Sequence, residues 1–213
     1  MTGDGLVTRE AARAELGLAL DPVLSPDAAA WLGLARESVS GDPAAAAVLL
    51  PAVGRRCGRG PLPAPPGWSV DDAARVTLLL ALPCTGEPLA ARLADLYRFG
   101  DAHERRGVLR SLDALGAEVG HAALPLLHDA LRSNDSRLVA AALGPYAAAR
   151  LTGHAWRQAV LKCVFTGVPL ALVAGLDERA DAELARMMTD FARERTAAGR
   201  DVPPDVARFL EVR

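Results

Sequence analysis

The stretch DAHERRGVLRSLDALG, residues 101–116, shows the pattern on which the fold prediction rests. Asp101 stands where a helix cap is preferred, because its carboxylate can accept hydrogen bonds from the first free backbone N–H groups. The apolar residues that follow share one helical face: Val108, Leu109, Leu112 and Leu115. The stretch therefore predicts an amphipathic α-helix that begins after Asp101 and stops near Gly116.

The same helical spacing continues on both sides of this stretch. Leu124, Leu127 and Leu131 follow it, and further helix starts are marked by Thr8, Ser25, Ser69 and Thr152. Short helices joined by short turns over residues 101–169 predict stacked antiparallel helix pairs, on the scale of a HEAT-like α-solenoid. Because the repeat signature is faint, an irregular helical bundle is the alternative architecture.

The composition agrees with an all-α fold. The 213 residues include 43 alanines and 33 leucines, no isoleucine, and only 25 valines and threonines together. Alanine and leucine favour helices, and the residues that favour strands are scarce. The net charge of −2 gives no support to a nucleic-acid-binding surface.

A glycine- and proline-rich segment interrupts the helical pattern. It reads GRRCGRGPLPAPPG over residues 54–67 and predicts a solvated loop at 54–68. This loop would separate an N-terminal helical part (8–53) from the main helical array (69–211) within one all-helical domain spanning 1–213. Its three arginines also fit an anion site, but its glycines do not form the phosphate-loop pattern.

The remaining features predict a soluble, cytoplasmic protein without a bound metal or cofactor. The N-terminus lacks the apolar run of a signal peptide, and the uncharged run 163–176 has 14 residues, fewer than the roughly 17–25 of a membrane span. Three separated cysteines indicate neither a disulfide framework nor a zinc site. His121 and His128 lie two helical turns apart, which is too far for one ion. We predict no catalytic residues from motifs.

The predicted helix that follows Thr152 carries a line of polar residues spaced four apart: His154, Gln158, Lys162 and Thr166. Its simplest interpretation is the solvated face of an amphipathic helix. The alternative is the polar wall of a pocket or partner surface, in which Lys162 would bind a phosphate or carboxylate. The chain's single lysine, asparagine and glutamine all fall between residues 134 and 162.

The second half of the chain resembles the EboA family, helical proteins of the bacterial ebo metabolite cluster. The resemblance rests on LRSNDSRLVAAALGPYAAARL (131–151), on residues 154–200 and on VPPDVARFL (202–210). Within 154–200 it includes Trp156-x-Gln158, and the order Gly175-Leu176-Asp177-x-Arg179. One departure is Ala147, which stands where a second proline is expected after Pro145. The resemblance implies a place in a secondary-metabolite pathway rather than a particular reaction.

Helices in an antiparallel arrangement can bring residues of this half of the chain to one site. We predict that seven residues contribute to one ligand- or partner-binding site: Tyr146, His154, Trp156, Gln158, Lys162, Asp177 and Arg179. Asp177 and Arg179 would support the walls of this site. The first functional hypothesis is a non-catalytic binding or adaptor protein of an ebo-type pathway, whose metabolite is prenylated or sugar-derived.

The alternative hypothesis is an enzyme of that pathway. It would act on a phosphorylated or prenylated metabolite through a pocket lined by Tyr146, His154, Gln158 and Lys162. The partners expected are pathway proteins or a small-molecule intermediate. We expect no nucleic-acid partner and no transmembrane segment, while peripheral membrane association stays open. A HEAT-like DNA-binding module is disfavoured by the net charge.

Overall fold

The computed structural model describes residues 6–210, and every regular element in that range is helical. The all-α prediction is therefore confirmed. Residues 1–5 and 211–213, which belong to the predicted domain, lie outside the described residues. Three single 3₁₀ turns lie at Leu50–Ala52, Leu170–Leu172 and Pro204–Val206. The helices are α1 Arg9–Leu20, α2 Pro26–Gly41, α3 Ala45–Leu49, α4 Val53–Arg56, α5 Val70–Leu79, α6 Gly86–Phe99, α7 Ala102–Val119, α8 Leu124–Arg132, α9 Ser136–Ala141, α10 Pro145–Arg150, α11 Gly153–Thr166, α12 Leu176–Arg179, α13 Ala182–Ala197 and α14 Ala207–Leu210.

The helix starts follow local capping chemistry. A side-chain oxygen before the helix accepts a hydrogen bond from a first-turn backbone N–H at six helices, through Thr8, Ser25, Asp101, Asp135, Thr152 and Asp181. At α5, Ser69 and Asp72 form a reciprocal capping box. The predicted starts after Thr8, Ser25, Ser69, Asp101 and Thr152 are confirmed, since each depends only on residues within one helical turn.

Helix α7 continues past the end that the sequence predicts. Gly116 lies within the helix, and Gly120, with a φ of 57°, ends it. A Cβ atom on Gly116 would stand 2.3 Å from the Tyr146 ring. This glycine therefore permits close packing of α10 on α7 and does not terminate the helix, and the prediction of a stop there was wrong.

Helix α7 is the hub of the architecture. It contacts α1, α5, α6, α9 and α10, and its contacts with α5 and α6 are the most extensive. In a solenoid each repeat packs mainly on its sequence neighbours, whereas α7 also contacts α1, near the start of the described chain, and α10. A HEAT-like arrangement is therefore not confirmed by this packing.

One hydrophobic core joins the N-terminal helices to the rest of the chain. Its buried residues extend from Leu6 to Phe209 without separating into two clusters. Among residues 6–210, no helix combines the length and the apolarity that crossing a bilayer requires.

The segment predicted as a solvated loop, 54–68, is structured in part. Its first three residues belong to α4, so the predicted boundary was wrong there. Leu62 is buried, and its N–H donates to the Trp68 carbonyl at 2.9 Å. The Val70 N–H donates to the Gly60 carbonyl, which closes the segment into a turn. The proline-rich part consequently packs as a rim against α7.

Buried charges hold α5 against α7. Asp71 and Arg75 are almost fully buried and pair at 2.5 Å, and the Arg75 Nε atom also donates to the Leu50 carbonyl. Asp72 pairs with the Arg106 Nε atom at 2.5 Å and lies 3.3 Å from that of Arg110. These pairs connect the N-terminal helices, α5 and α7. We call this group of five side chains the α5–α7 ion network.

Replacing Asp71 with asparagine should destabilise the fold strongly. Asp71→Asn would leave the buried Arg75 guanidinium without its anionic partner, and breaking a buried pair in this way costs about 3–5 kcal/mol. Urea denaturation would measure the loss in unfolding free energy. The control is Glu183→Gln, which removes a solvent-exposed pair with Arg186 and should leave that free energy unchanged within error. Equal effects of the two substitutions would contradict the role of the network.

Candidate functional site

Tyr146, the first residue of the predicted site, is an anchor in the core. Its side chain is 1% exposed, and its hydroxyl donates to the Gly120 carbonyl at 2.7 Å. Burial raises the pKa of the Tyr146 hydroxyl to about 12, so it stays protonated at neutral pH. Its contacts connect α10 to the end of α7.

Trp156 and Arg179 meet, but inside the structure. Trp156 is 1% exposed, and the Arg179 guanidinium lies over its ring at 4.8 Å from the centroid. Arg179 also donates to the carbonyls of Ala148 at 2.6 Å and Leu151 at 2.9 Å. These carbonyls end α10, so this pair completes the hydrogen bonding of a helix C-terminus.

The other predicted residues lie at the surface. His154 and Gln158 are exposed, whereas Lys162 is partly exposed and donates to the Asn134 side chain at 3.0 Å. Asp177 is exposed and pairs with Arg208. The structure therefore brings together Trp156 with Arg179, and Lys162 with Asn134. It does not bring Tyr146 to the polar line on α11, because that ring and hydroxyl face α7.

A cleft of about 450 Å³ lies elsewhere, between α1, α5, α7 and the proline-rich rim. We call it the main cleft. It opens to solvent, and its walls are mostly apolar. Three charged residues line it, Glu15 of α1 and Arg110 and Asp113 of α7. The apolar wall includes Val7, Leu16, Ala19, Trp68, Val76 and Pro145.

Two smaller cavities adjoin the main cleft. The adjoining cleft, of about 230 Å³, shares Trp68, Arg110 and Asp113 with it and extends to Ala140 and Leu172. The arginine pocket, of about 190 Å³, shares Arg110, Ala140 and Leu172 with the adjoining cleft. Arg110 therefore lines all three cavities.

Arg110 is positioned by contacts on three sides. Its guanidinium stacks over the Trp68 ring at 4.5 Å, its Nη2 atom donates to the Gly67 carbonyl at 2.6 Å, and its Nε atom faces Asp72. Burial lowers the pKa of Arg110, and the nearby carboxylate of Asp72 opposes that shift. The side chain therefore connects the rim of the cleft to the α5–α7 ion network.

The Asp113 carboxyl group is largely surrounded by protein, and its remaining solvent-accessible surface faces the main cleft. It accepts a hydrogen bond from the Tyr146 backbone N–H at 3.1 Å. Burial raises the pKa of Asp113 to about 7, although this hydrogen bond and the Arg110 charge oppose the shift. Near neutral pH this group can either donate a hydrogen bond to a ligand or accept one.

Comparison with protein families gives one match. The family described as "Metabolite traffic protein EboA" matches residues 60–211 of the 213-residue chain. This chain belongs to the EboA family. Comparison with curated proteins and with solved structures found no match.

The matched region of this EboA-family chain includes Trp68, Arg110 and Asp113, but not α1, which forms one wall of the main cleft. The sequence reasoning missed these three residues. A signal existed in α7, where Arg106, Arg110 and Asp113 lie at helical spacing among residues of the predicted core face. Within residues 6–210, no three histidine, cysteine or acidic side chains are grouped to hold a metal ion.

The Asp113 carboxyl should make stability depend on pH. Since its pKa is raised in the folded state, the folded chain keeps a proton between about pH 4 and pH 7 that the unfolded chain releases. Unfolding free energy should therefore fall through this window relative to an Asp113→Asn variant, by about 2–4 kcal/mol, and level off above pH 7. Urea denaturation at several pH values measures the difference, and parallel profiles for the two proteins would contradict it.

Proposed function

We propose that this EboA-family chain is a non-catalytic helical binding protein that holds a small metabolite in the main cleft. The family description supports a role in metabolite traffic. The finer proposal is that the chain acts in the cytoplasm, within an ebo-type secondary-metabolite pathway. Its metabolite would be a prenylated or sugar-derived intermediate passed between the proteins of that pathway.

The observation that carries the proposal is the construction of the main cleft. Its volume of about 450 Å³ lies within the roughly 300–1,000 Å³ of small-molecule sites. Such sites combine apolar walls with a few polar groups that orient the ligand. Here Trp68 offers an aromatic face, while Arg110 and Asp113 are held in place by contacts with the surrounding backbone.

Filling the main cleft should abolish binding without unfolding the chain. Ala19→Phe places a ring in the cleft from α1, where Ala19 is partly exposed and can be enlarged without overpacking the core. We expect binding of the neutral apolar fluorophore N-phenyl-1-naphthylamine to weaken roughly tenfold or more. Fluorescence titration measures the affinity.

The matched control is Ala14→Phe, which adds the same ring to the exposed face of the same helix. It should bind the fluorophore like the wild type. Mass spectrometry of small molecules extracted from purified protein should recover a metabolite from wild type and from Ala14→Phe, but not from Ala19→Phe. If Ala19→Phe binds the fluorophore and the extracted metabolite with the same affinity as the wild type, the main cleft is not the binding site. If the extracted metabolite is chemically converted on incubation with wild type but not with Asp113→Asn, the chain is an enzyme instead.

A second candidate is the adaptor role, in which the predicted residues of α11 form a partner-binding surface. The specific observation is Phe165, whose side chain is 61% exposed next to the partly exposed Lys162. His154 and Gln158 continue this exposed line along the helix. An exposed ring beside polar groups matches the composition of partner interfaces.

Substituting Lys162 tests this surface. Lys162→Ala should reduce output of the pathway metabolite in cells, while the unfolding free energy changes by less than about 1 kcal/mol because the side chain is partly exposed. The control is Arg193→Ala, a basic residue on the exposed face of α13. Full pathway output from Lys162→Ala would show that the polar line is only a solvated helix face.

A further inference from the structure

The arginine pocket collects positive charge. Three guanidinium groups line it, those of Arg106, Arg110 and Arg137, together with the Ser136 hydroxyl. Its remaining wall is formed by glycine and apolar residues, including Gly167 and Leu172. The carboxylates that pair with these arginines, Asp72 and Asp135, are not among the residues lining the pocket.

These carboxylates do not balance the arginines one for one. Asp72 serves both Arg106 and Arg110, while Asp71 is the close partner of Arg75 and lies 3.7 Å from Arg106. His103, next to Asp71, adds no negative charge. The α5–α7 ion network therefore contains three guanidinium groups and two carboxylates.

Two further carboxyl groups bear on this charge. Asp135 pairs with Arg137, so that arginine contributes donors more than net charge. Burial raises the pKa of Asp113 to about 7, so at neutral pH it carries only part of a negative charge. Among the paired side chains, four guanidinium groups are matched by three carboxylates, so positive charge is in excess around the arginine pocket.

The pocket also offers hydrogen-bond donors. Arg137 contacts Asp135 through its Nε and Nη2 atoms, which leaves its Nη1 atom outside that ion pair. Arg110 uses Nη2 for Gly67 and turns Nε toward Asp72, and its Nη1 atom takes part in neither contact. Guanidinium groups match the geometry of phosphate and carboxylate oxygens.

The three cavities adjoin one another in sequence. The adjoining cleft shares Trp68 and Asp113 with the main cleft, and it shares Ala140 and Leu172 with the arginine pocket. An elongated ligand that follows these shared walls would have its apolar part in the main cleft and its far end among the arginines. Desolvation of an anionic end would be compensated there by charge and by donors.

We infer that the ligand is an amphiphilic anion, whose apolar body occupies the main cleft and whose phosphate or carboxylate end binds Arg106, Arg110 and Arg137 in the arginine pocket. This inference rests on the proposed binding function and adds the chemical class of the ligand. Arg137 is the residue to test, since its side chain is 59% exposed and lies outside the buried ion network.

The experiment measures displacement of N-phenyl-1-naphthylamine by decyl phosphate, decanoate and decanol, each below its micelle-forming concentration. The two anions should compete roughly tenfold or more better than decanol, because bonds to a charged group add to the same apolar burial. Arg137→Gln should remove most of the preference for the two anions and leave the affinity for decanol unchanged. Arg132→Gln, at an exposed arginine of α8, is the matched control and should behave as wild type.

The outcomes separate the two levels of the proposal. If the fluorophore itself does not bind, the proposed function fails. If the fluorophore binds but decanol competes as well as both anions, the main cleft stands and the inference about the anionic end is overturned. If the anions are preferred but Arg137→Gln and Arg132→Gln act alike, the arginine pocket is not the anion site. If wild type prefers one of the two anions and Arg137→Gln loses that preference, the preferred anion identifies the head group, phosphate or carboxylate, that the arginine pocket binds.

Discussion

The contact between α5 and α7 depends on the pairing of buried charges. Two aspartates of α5 and two arginines of α7 pair across this contact, and Arg75 of α5 lies against Gly107 of α7. A Cβ atom on Gly107 would stand 2.8 Å from the Arg75 side chain, so this position needs glycine. Because a buried charge without a partner is strongly unfavourable, only a narrow range of positions of the two helices satisfies the whole network.

The same network determines where the candidate site forms. Asp72 holds Arg110, Arg110 stacks on Trp68, and Trp68 positions the proline-rich rim over α7. Arg75 extends the network to the Leu50 carbonyl, and so joins the N-terminal helices to it. A residue inside the core and the wall of an open cleft are thereby connected through one chain of contacts. In this protein, the buried ion pairs of the core and the residues that line the main cleft therefore belong to one connected group of side chains.

Two tryptophan–arginine pairs in the structure have different roles. Trp156 and Arg179 form a stacked pair that resembles the Trp68–Arg110 pair. The first pair ends a helix within the core, and the second lines a cleft. Residue type alone does not distinguish them, because the difference lies in which neighbouring surface is left uncovered. The sequence prediction selected the region with rare polar residues, whereas the largely apolar cleft lies between α1, α5, α7 and the proline-rich rim.

The sequence by itself determined the helical class, the starts of the main helices and the family. Capping and apolar spacing act within a few residues, so Asp101 and Thr152 mark helix starts without knowledge of the rest of the chain. Only the tertiary structure decided that Gly116 is a packing contact, that Tyr146 is buried, and that residues 62–68 form a wall. It also brought Trp68, Arg110 and Asp113 to one cleft. These outcomes depend on contacts between distant segments, and local propensity carries no information about which distant surfaces meet or which remain open to a ligand.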